Sequence, residues 1–173
     1  VWLQGCKPKG TQSAAGGDAA KAYVAPGKYD EFYNFVSGGF SGQLAAYGLP
    51  SGRLLRVIPV FSVDPEKGWG YSEETKPMLN TSHGFVPWDD LHHVEMSMTN
   101  GVADGKWAFG NGNNTPRLAR VDLRTFRTAE IIELPNSAGN HSSPFGTENS
   151  EYIVASTRFS VPEDANSDVP IES

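Results

Sequence analysis

The stretch WAFGNGNNTPRLARVDLRTFR, residues 107–127, decides the fold because the same pattern occurs earlier in the chain, at 33–53. In both copies, two aromatic residues precede a turn that contains Gly, and an alternating run that begins with Leu-Ala follows. The ungapped superposition of 33–53 on 107–127, here the blade alignment, indicates a repeat architecture. Each copy predicts strand, turn, strand, turn, strand, which is most of one four-stranded β-propeller blade. We therefore expect an all-β fold, a partial β-propeller of about two to three blades.

The remaining sequence predicts short strands and no long helix. Nineteen Gly and 12 Pro residues interrupt the chain of 173 residues, and helical periodicity is not sustained anywhere. Turn signals at 50–52 and at Asp104-Gly105 separate neighbouring strands. The apolar pattern predicts strands at 32–36, 44–49, 54–61, 94–98, 107–109, 118–123, 129–134 and 152–155.

Charge and hydropathy exclude two classes of partner. The chain has 14 Lys and Arg residues against 20 Asp and Glu residues, a formal net charge of −6. A protein that binds nucleic acid by neutralising phosphates needs an excess of basic residues, so no nucleic-acid partner is expected. A bilayer span needs a run of about 18 apolar residues, and the sequence has none.

The two ends suggest a segment of a longer, exported protein. We expect residues 1–27 to be an export-signal remnant and flexible leader, and 28–173 to be the N-terminal part of a β-propeller domain. Leu3-Gln4-Gly5-Cys6 resembles a bacterial lipobox, which predicts a lipid anchor at Cys6. The alternative is an incidental thiol in a disordered tail.

Histidines at equivalent repeat positions form the candidate site. A second ungapped superposition, here the histidine alignment, places His93 on His141 and Thr99 on Thr147. The first strand of each blade lines the central channel of a propeller, so the two histidine side chains should face one another across adjacent blades. His92 reaches the same space if the backbone there is still a loop, whereas in a regular strand it would face away.

Three neighbouring imidazoles suit a transition metal such as copper or zinc, and Asp90 is placed to accept a ring N–H and orient His92. From the residues alone the histidines are either metal ligands or loop histidines that are exposed or hydrogen-bonded. A metal site would be a mononuclear zinc or copper centre of three imidazoles, and without a metal the chain would be a catalytically silent propeller that binds proteins and has structural histidines. His83 lies in the insertion at 64–89 and is expected to be a loop residue, or a lid over the site.

Ordered blocks along the chain closely resemble the N-terminal propeller of the nitrous oxide reductase family. They are DLHH at 90–93, MSMTNG at 96–101, DGKW at 104–107, NTPRLARV at 114–121, GKYDEFY at 27–33, RVIPVF at 56–61, GWG at 68–70 and IELPN at 132–136. Leu91 and Val94-Glu95 depart from the better-known branch of that family. Together with the lipobox-like start, they resemble the divergent branch exported through the general secretory (Sec) route.

The resemblance implies a periplasmic copper enzyme that reduces nitrous oxide to dinitrogen and water. In that family a seven-bladed propeller holds a four-copper sulfide cluster (CuZ) with seven histidines, and a C-terminal cupredoxin domain holds a dinuclear copper centre (CuA). His92, His93 and His141 resemble three CuZ ligands, and Asp90 the carboxylate beside them. The resemblance also implies calcium as a further cofactor, a cytochrome c or small copper protein as electron donor, and a head-to-tail homodimer. The segment alone is not expected to be active.

Overall fold

The computed structural model describes residues 17–135, 137–141 and 144–159. Cys6 and the lipobox-like segment lie outside the described residues. Within them, the only helices are the four-residue α1 (Asp18–Lys21) and a 3₁₀ turn at Lys76–Leu79, neither of which has the length to cross a membrane. The strands are β1 (Phe32–Ser37), β2 (Gln43–Leu49), β3 (Leu54–Pro59), β4 (Asn80–Thr81), β5 (Gly84–Phe85), β6 (Leu91–Thr99), β7 (Val102–Gly112), β8 (Arg117–Asp122), β9 (Arg127–Glu133), β10 (Phe145–Gly146) and β11 (Ile153–Val154).

The strands form antiparallel sheets in sequence order, which confirms the predicted all-β class and is consistent with a partial propeller. One sheet has the order β1-β2-β3, and the next has the order β6-β7-β8-β9. The hairpin β10-β11 follows, and β4-β5 is a small hairpin inside the insertion. The blade alignment, extended to the end of β3, carries β1, β2 and β3 onto β7, β8 and β9. The first sheet therefore matches the second without its first strand.

The two larger sheets pack face to face and share one core. Alternate residues of β2 are buried, as expected when one face of a strand covers a core. Full burial of each large aliphatic side chain stabilises the fold by about 1.5–3 kcal/mol. The buried cluster comprises Leu44, Ile58, Val60 and Phe61 with Leu91, Ala108, Ala119, Val121 and Leu123.

One predicted turn is wrong. The chain reverses at Asn100-Gly101, where φ is 52° and 71°, and not at Asp104-Gly105, which lies inside β7. Asn-Gly is the dipeptide that best fits a two-residue hairpin turn with positive φ at both positions. Asp104 instead lies at an irregularity of the β6–β7 pair, where its carboxylate accepts hydrogen bonds from Ser97 Oγ at 2.5 Å and Thr99 Oγ1 at 2.8 Å.

Candidate metal centre

The three predicted histidines lie together. His92 and His93 are at the start of β6, and His141 lies in the segment that leads to β10. The ring centroids of His92 and His141 are 4.7 Å apart, and those of His93 and His141 are 5.7 Å apart. One nitrogen from each ring falls within 4.8 Å of the others. His83 does not join this group and is exposed in the β4–β5 turn.

A β-bulge brings both neighbouring histidines to the same site. Leu91 pairs with Gly112 and Val94 pairs with Gly110, so the two histidines stand opposite the single residue Asn111. A bulge of two residues against one redirects a side chain that regular alternation would send to the other face of the sheet. The sequence predicts that His92 needs a loop backbone to reach the site. The structure instead has a bulged strand there.

The Asp90 carboxylate is hydrogen-bonded to one ring nitrogen of His92. His92 Nδ1 is 3.1 Å from Asp90 Oδ2, and the Nδ2 amide of Asn113 donates to the same oxygen at 2.9 Å. Asp90 is buried, so this carboxylate has little competition from water. A carboxylate that accepts the Nδ1–H of an imidazole leaves Nε2 as the free lone pair for a metal ion.

The environment of His93 favours its neutral form. Burial lowers the pKa of His93, and the neighbouring rings of His92 and His141 lower it further, whereas the Asp90 carboxylate acts in the opposite direction. Metal ions bind the neutral imidazole, so a histidine that is already neutral loses no proton when a metal binds. Three imidazole donors suit copper or zinc, and the residues present fit such an ion.

A buried ion pair supports the segment that leads to the histidines. The Asp89 carboxylate accepts backbone N–H groups of Asn114 at 2.9 Å and Thr115 at 3.0 Å. Arg117 Nη2 lies 3.6 Å from Asp89 Oδ2, and both side chains are completely buried. The guanidinium also stacks on the ring of Phe61, 4.9 Å from its centroid. The loop before β6 is thereby fixed to the turn after β7.

Sequence reasoning missed two buried asparagines, one at the end of β7 and one just after it. The blade alignment predicts only a Gly-containing turn after Phe109, yet Asn111 lies in β7, and Asn111 and Asn113 are buried and bond to the histidine-bearing segments. Their spacing of two residues places both side chains on one side of an extended chain, but the segment that they face follows only from the pairing of β6 with β7.

The chain is similar to part of several nitrous-oxide reductases, although no family model matches it. It is 38% identical over 144 residues to the nitrous-oxide reductase of Pseudomonas fluorescens, which covers 83% of this chain and 22% of that protein. Identity to the nitrous-oxide reductase of Stutzerimonas stutzeri is 36% over 143 residues, covering 82% of this chain and 22% of that protein. Identity to the nitrous-oxide reductase of Ralstonia nicotianae is 37% over 150 residues, covering 79% of this chain and 23% of that protein.

These matches confirm the resemblance found in the sequence. The chain spans about a fifth of the length of the curated relatives it matches. The similarity covers about four fifths of this chain. The three relatives named here come from three bacterial genera, and all are nitrous-oxide reductases. This chain is therefore a relative of the nitrous-oxide reductases and corresponds to one segment of them.

Proposed function

We propose that this chain is part of a periplasmic, copper-dependent nitrous oxide reductase, in which His92, His93 and His141 are ligands of the multi-copper sulfide cluster. The observation that supports this most directly is the convergence of three imidazoles within 4.8 Å in a chain similar to nitrous-oxide reductases. The substrate is nitrous oxide, which takes up two electrons and two protons to give dinitrogen and water.

Copper held by these three histidines would supply the electron-transfer chemistry, and the residues of this chain place the ligand atoms. Asp90 fixes the ring of His92 by accepting from Nδ1 and leaves Nε2 free. His93 is kept neutral by burial and by its neighbours. His141 completes the group from the segment before β10 and is exposed. Asp90 therefore orients a ligand and does not itself bind the metal.

The rest of the proposal concerns the full-length protein, of which this chain represents about a fifth by comparison with its relatives. Four further histidines and a CuA domain would complete the copper centres, and calcium would be a further cofactor. A cytochrome c or a small copper protein would deliver electrons to CuA in a head-to-tail homodimer. Export through the Sec route and a lipid anchor at Cys6 would place the enzyme in the periplasm.

The test is anaerobic expression of the full-length protein, followed by copper analysis and a nitrous oxide consumption assay. His93→Ala is the informative variant, and His83→Ala is its matched control because His83 is exposed and outside the cluster. We expect His93→Ala to lose copper and activity and His83→Ala to keep both.

Three other results contradict the proposal. One metal ion per chain without sulfide would indicate a mononuclear zinc or copper site. A protein without any metal would indicate a propeller that binds other proteins and has structural histidines. Wild-type copper content in His93→Ala would remove His93 from the ligand set.

A further inference from the structure

Two side chains at equivalent repeat positions contact the histidine-bearing segments in the same way. Ser37 ends β1, and the blade alignment carries it onto Asn111 near the end of β7. Ser37 Oγ donates to the backbone carbonyl of His92 at 2.7 Å, and Asn111 Nδ2 donates to the backbone carbonyl of Asn140. These carbonyls belong to the residues that immediately precede His93 and His141.

The two contacts are related by the same symmetry that relates the histidines. The histidine alignment, which places His93 on His141, also places His92 on Asn140. Each donor therefore reaches from one sheet to the backbone just before the equivalent histidine of the next. A contact repeated at equivalent positions is set by the architecture, because the same two elements meet in the same geometry each time.

Asn111 has a second role that Ser37 does not have. Its Oδ1 accepts the backbone N–H of His93 at 2.7 Å. The bulge removes the partner that this N–H would have in a regular ladder, and a buried backbone donor without a partner is costly. Because an amide side chain combines an acceptor and a donor, Asn111 contacts the backbone of both histidine segments at once.

We propose that Ser37 and Asn111 are positioning residues that set where His93 and His141 stand relative to each other. The proposal rests on the proposed copper site, and neither side chain belongs to the group of three histidines that could hold the metal. Asn111 is completely buried, so its two hydrogen bonds form without competing water. Loss of the bond to the Asn140 carbonyl frees the segment that carries His141, and loss of the Ser37 bond loosens the bulge from the neighbouring sheet.

The test uses the full-length protein with two variants and two matched controls. Asn111→Asp keeps the acceptor for the His93 N–H and replaces the donor with an acceptor that faces the Asn140 carbonyl. Asn114→Asp is its control, since it makes the same change at an exposed side chain just after β7. Ser37→Ala removes only the hydroxyl donor, and Ser41→Ala does the same at an exposed position between β1 and β2.

The measurements are copper content, the visible spectrum of the copper-loaded protein and the unfolding midpoint. Residues that orient metal ligands typically change metal affinity by about 10–100-fold when replaced. We expect Asn111→Asp to lower copper affinity by about 10–100-fold and Ser37→Ala to lower it less. The visible spectrum should shift in both variants. The controls should match the wild type. A structural role alone would lower the unfolding midpoint and leave the spectrum of the copper-loaded protein unchanged.

Each remaining outcome overturns the proposal. Folded Ser37→Ala and Asn111→Asp proteins with wild-type copper content and spectrum would show that neither residue positions a ligand. Failure of both variants to fold would make these residues determinants of the fold. If the wild-type protein binds no copper, both the proposed function and the positioning role are wrong. If the wild type binds copper and the variants behave like it, only the positioning role is wrong.

Discussion

Replacement of Arg117 by Met tests whether the buried ion pair supports the candidate site. The Arg117 side chain has no exposed surface. Its guanidinium donates to the carbonyl of Val86 at 3.0 Å, the carbonyl of Trp88 at 2.8 Å and the hydroxyl of Thr115 at 2.7 Å. It also lies 3.6 Å from the buried Asp89 carboxylate. Burial lowers the pKa of Arg117, which shows that desolvation opposes its charge.

Arg117→Met should destabilise the protein strongly. Met fills much of the volume but leaves the Asp89 charge buried without a cation, and removal of one partner of a buried pair costs about 3–5 kcal/mol. The carbonyls of Val86 and Trp88 also lose their donor, but these contacts are only partly buried, so water can replace the donor and the added cost is small. These costs are not additive because the groups share one network. We therefore expect a loss of about 3–5 kcal/mol, against a typical domain stability of about 5–15 kcal/mol.

Denaturant unfolding of the full-length protein measures this loss. Arg124→Met is the control, since the Arg124 side chain is 75% exposed in its ion pair with Asp122, and ion pairs open to water contribute about 0–1 kcal/mol. The double variant Asp89→Asn with Arg117→Met removes both charges and should be more stable than Arg117→Met alone. A loss below about 1 kcal/mol in Arg117→Met would refute the reasoning. A double variant no more stable than the single one would refute the charge argument.

Substitutions at three further positions test separate features. Asp90→Ala should weaken copper binding about 10–100-fold in a competition assay. Asp90→Asn should weaken it less, because an amide oxygen can still accept from His92, and equal losses would contradict this. Asp104→Ala should cost about 2 kcal/mol at pH 7 in urea unfolding. The hydrogen bond from Ser97 is the main reason that the pKa of Asp104 lies well below its usual range, so this cost should persist down to about pH 4 and fade only in stronger acid. Disappearance of the stability cost of Asp104→Ala by pH 6 would refute this prediction. Gly42→Ala should cost at least about 1–2 kcal/mol in thermal unfolding, because φ is +64° and a Cβ would lie 3.0 Å from backbone of Phe61. An unchanged midpoint would contradict this.

The blade architecture could be predicted because its signal repeats along the chain. Residues 33–53 and 107–127 show the same alternation, and they form β1, β2 and β3 in one sheet and β7, β8 and β9 in the next. Strand alternation is a local property, so every predicted strand overlaps an observed one. The error at Asp104-Gly105 arose because composition alone does not separate a turn from a strand irregularity. Only the pairing of β6 with β7 shows which of two Gly-containing dipeptides reverses the chain.

The histidine cluster was partly predictable for the same reason. The histidine alignment relates His93 to His141, and equivalent positions in successive blades face a common axis. The convergence of His92 depends on the bulge opposite Asn111, and the position of a bulge follows from strand register. Register is a property of two segments in contact, which explains why the buried asparagines could not be assigned a role from the sequence alone.

The difference between Ser37 and Asn111 follows from what each sheet contains. Asn111 faces a bulged strand in its own sheet and must accept the free N–H of His93 while it donates to the Asn140 carbonyl. The blade alignment, extended toward the N-terminus, places the equivalent of β6 in the first sheet at 17–25, where the described chain forms α1 and a turn instead of a strand. Ser37 therefore has no equivalent bulge to satisfy and needs only a donor toward the His92 carbonyl, which a hydroxyl provides. The choice of side chain at these two positions thus reflects whether a bulged, histidine-bearing strand lies beside them.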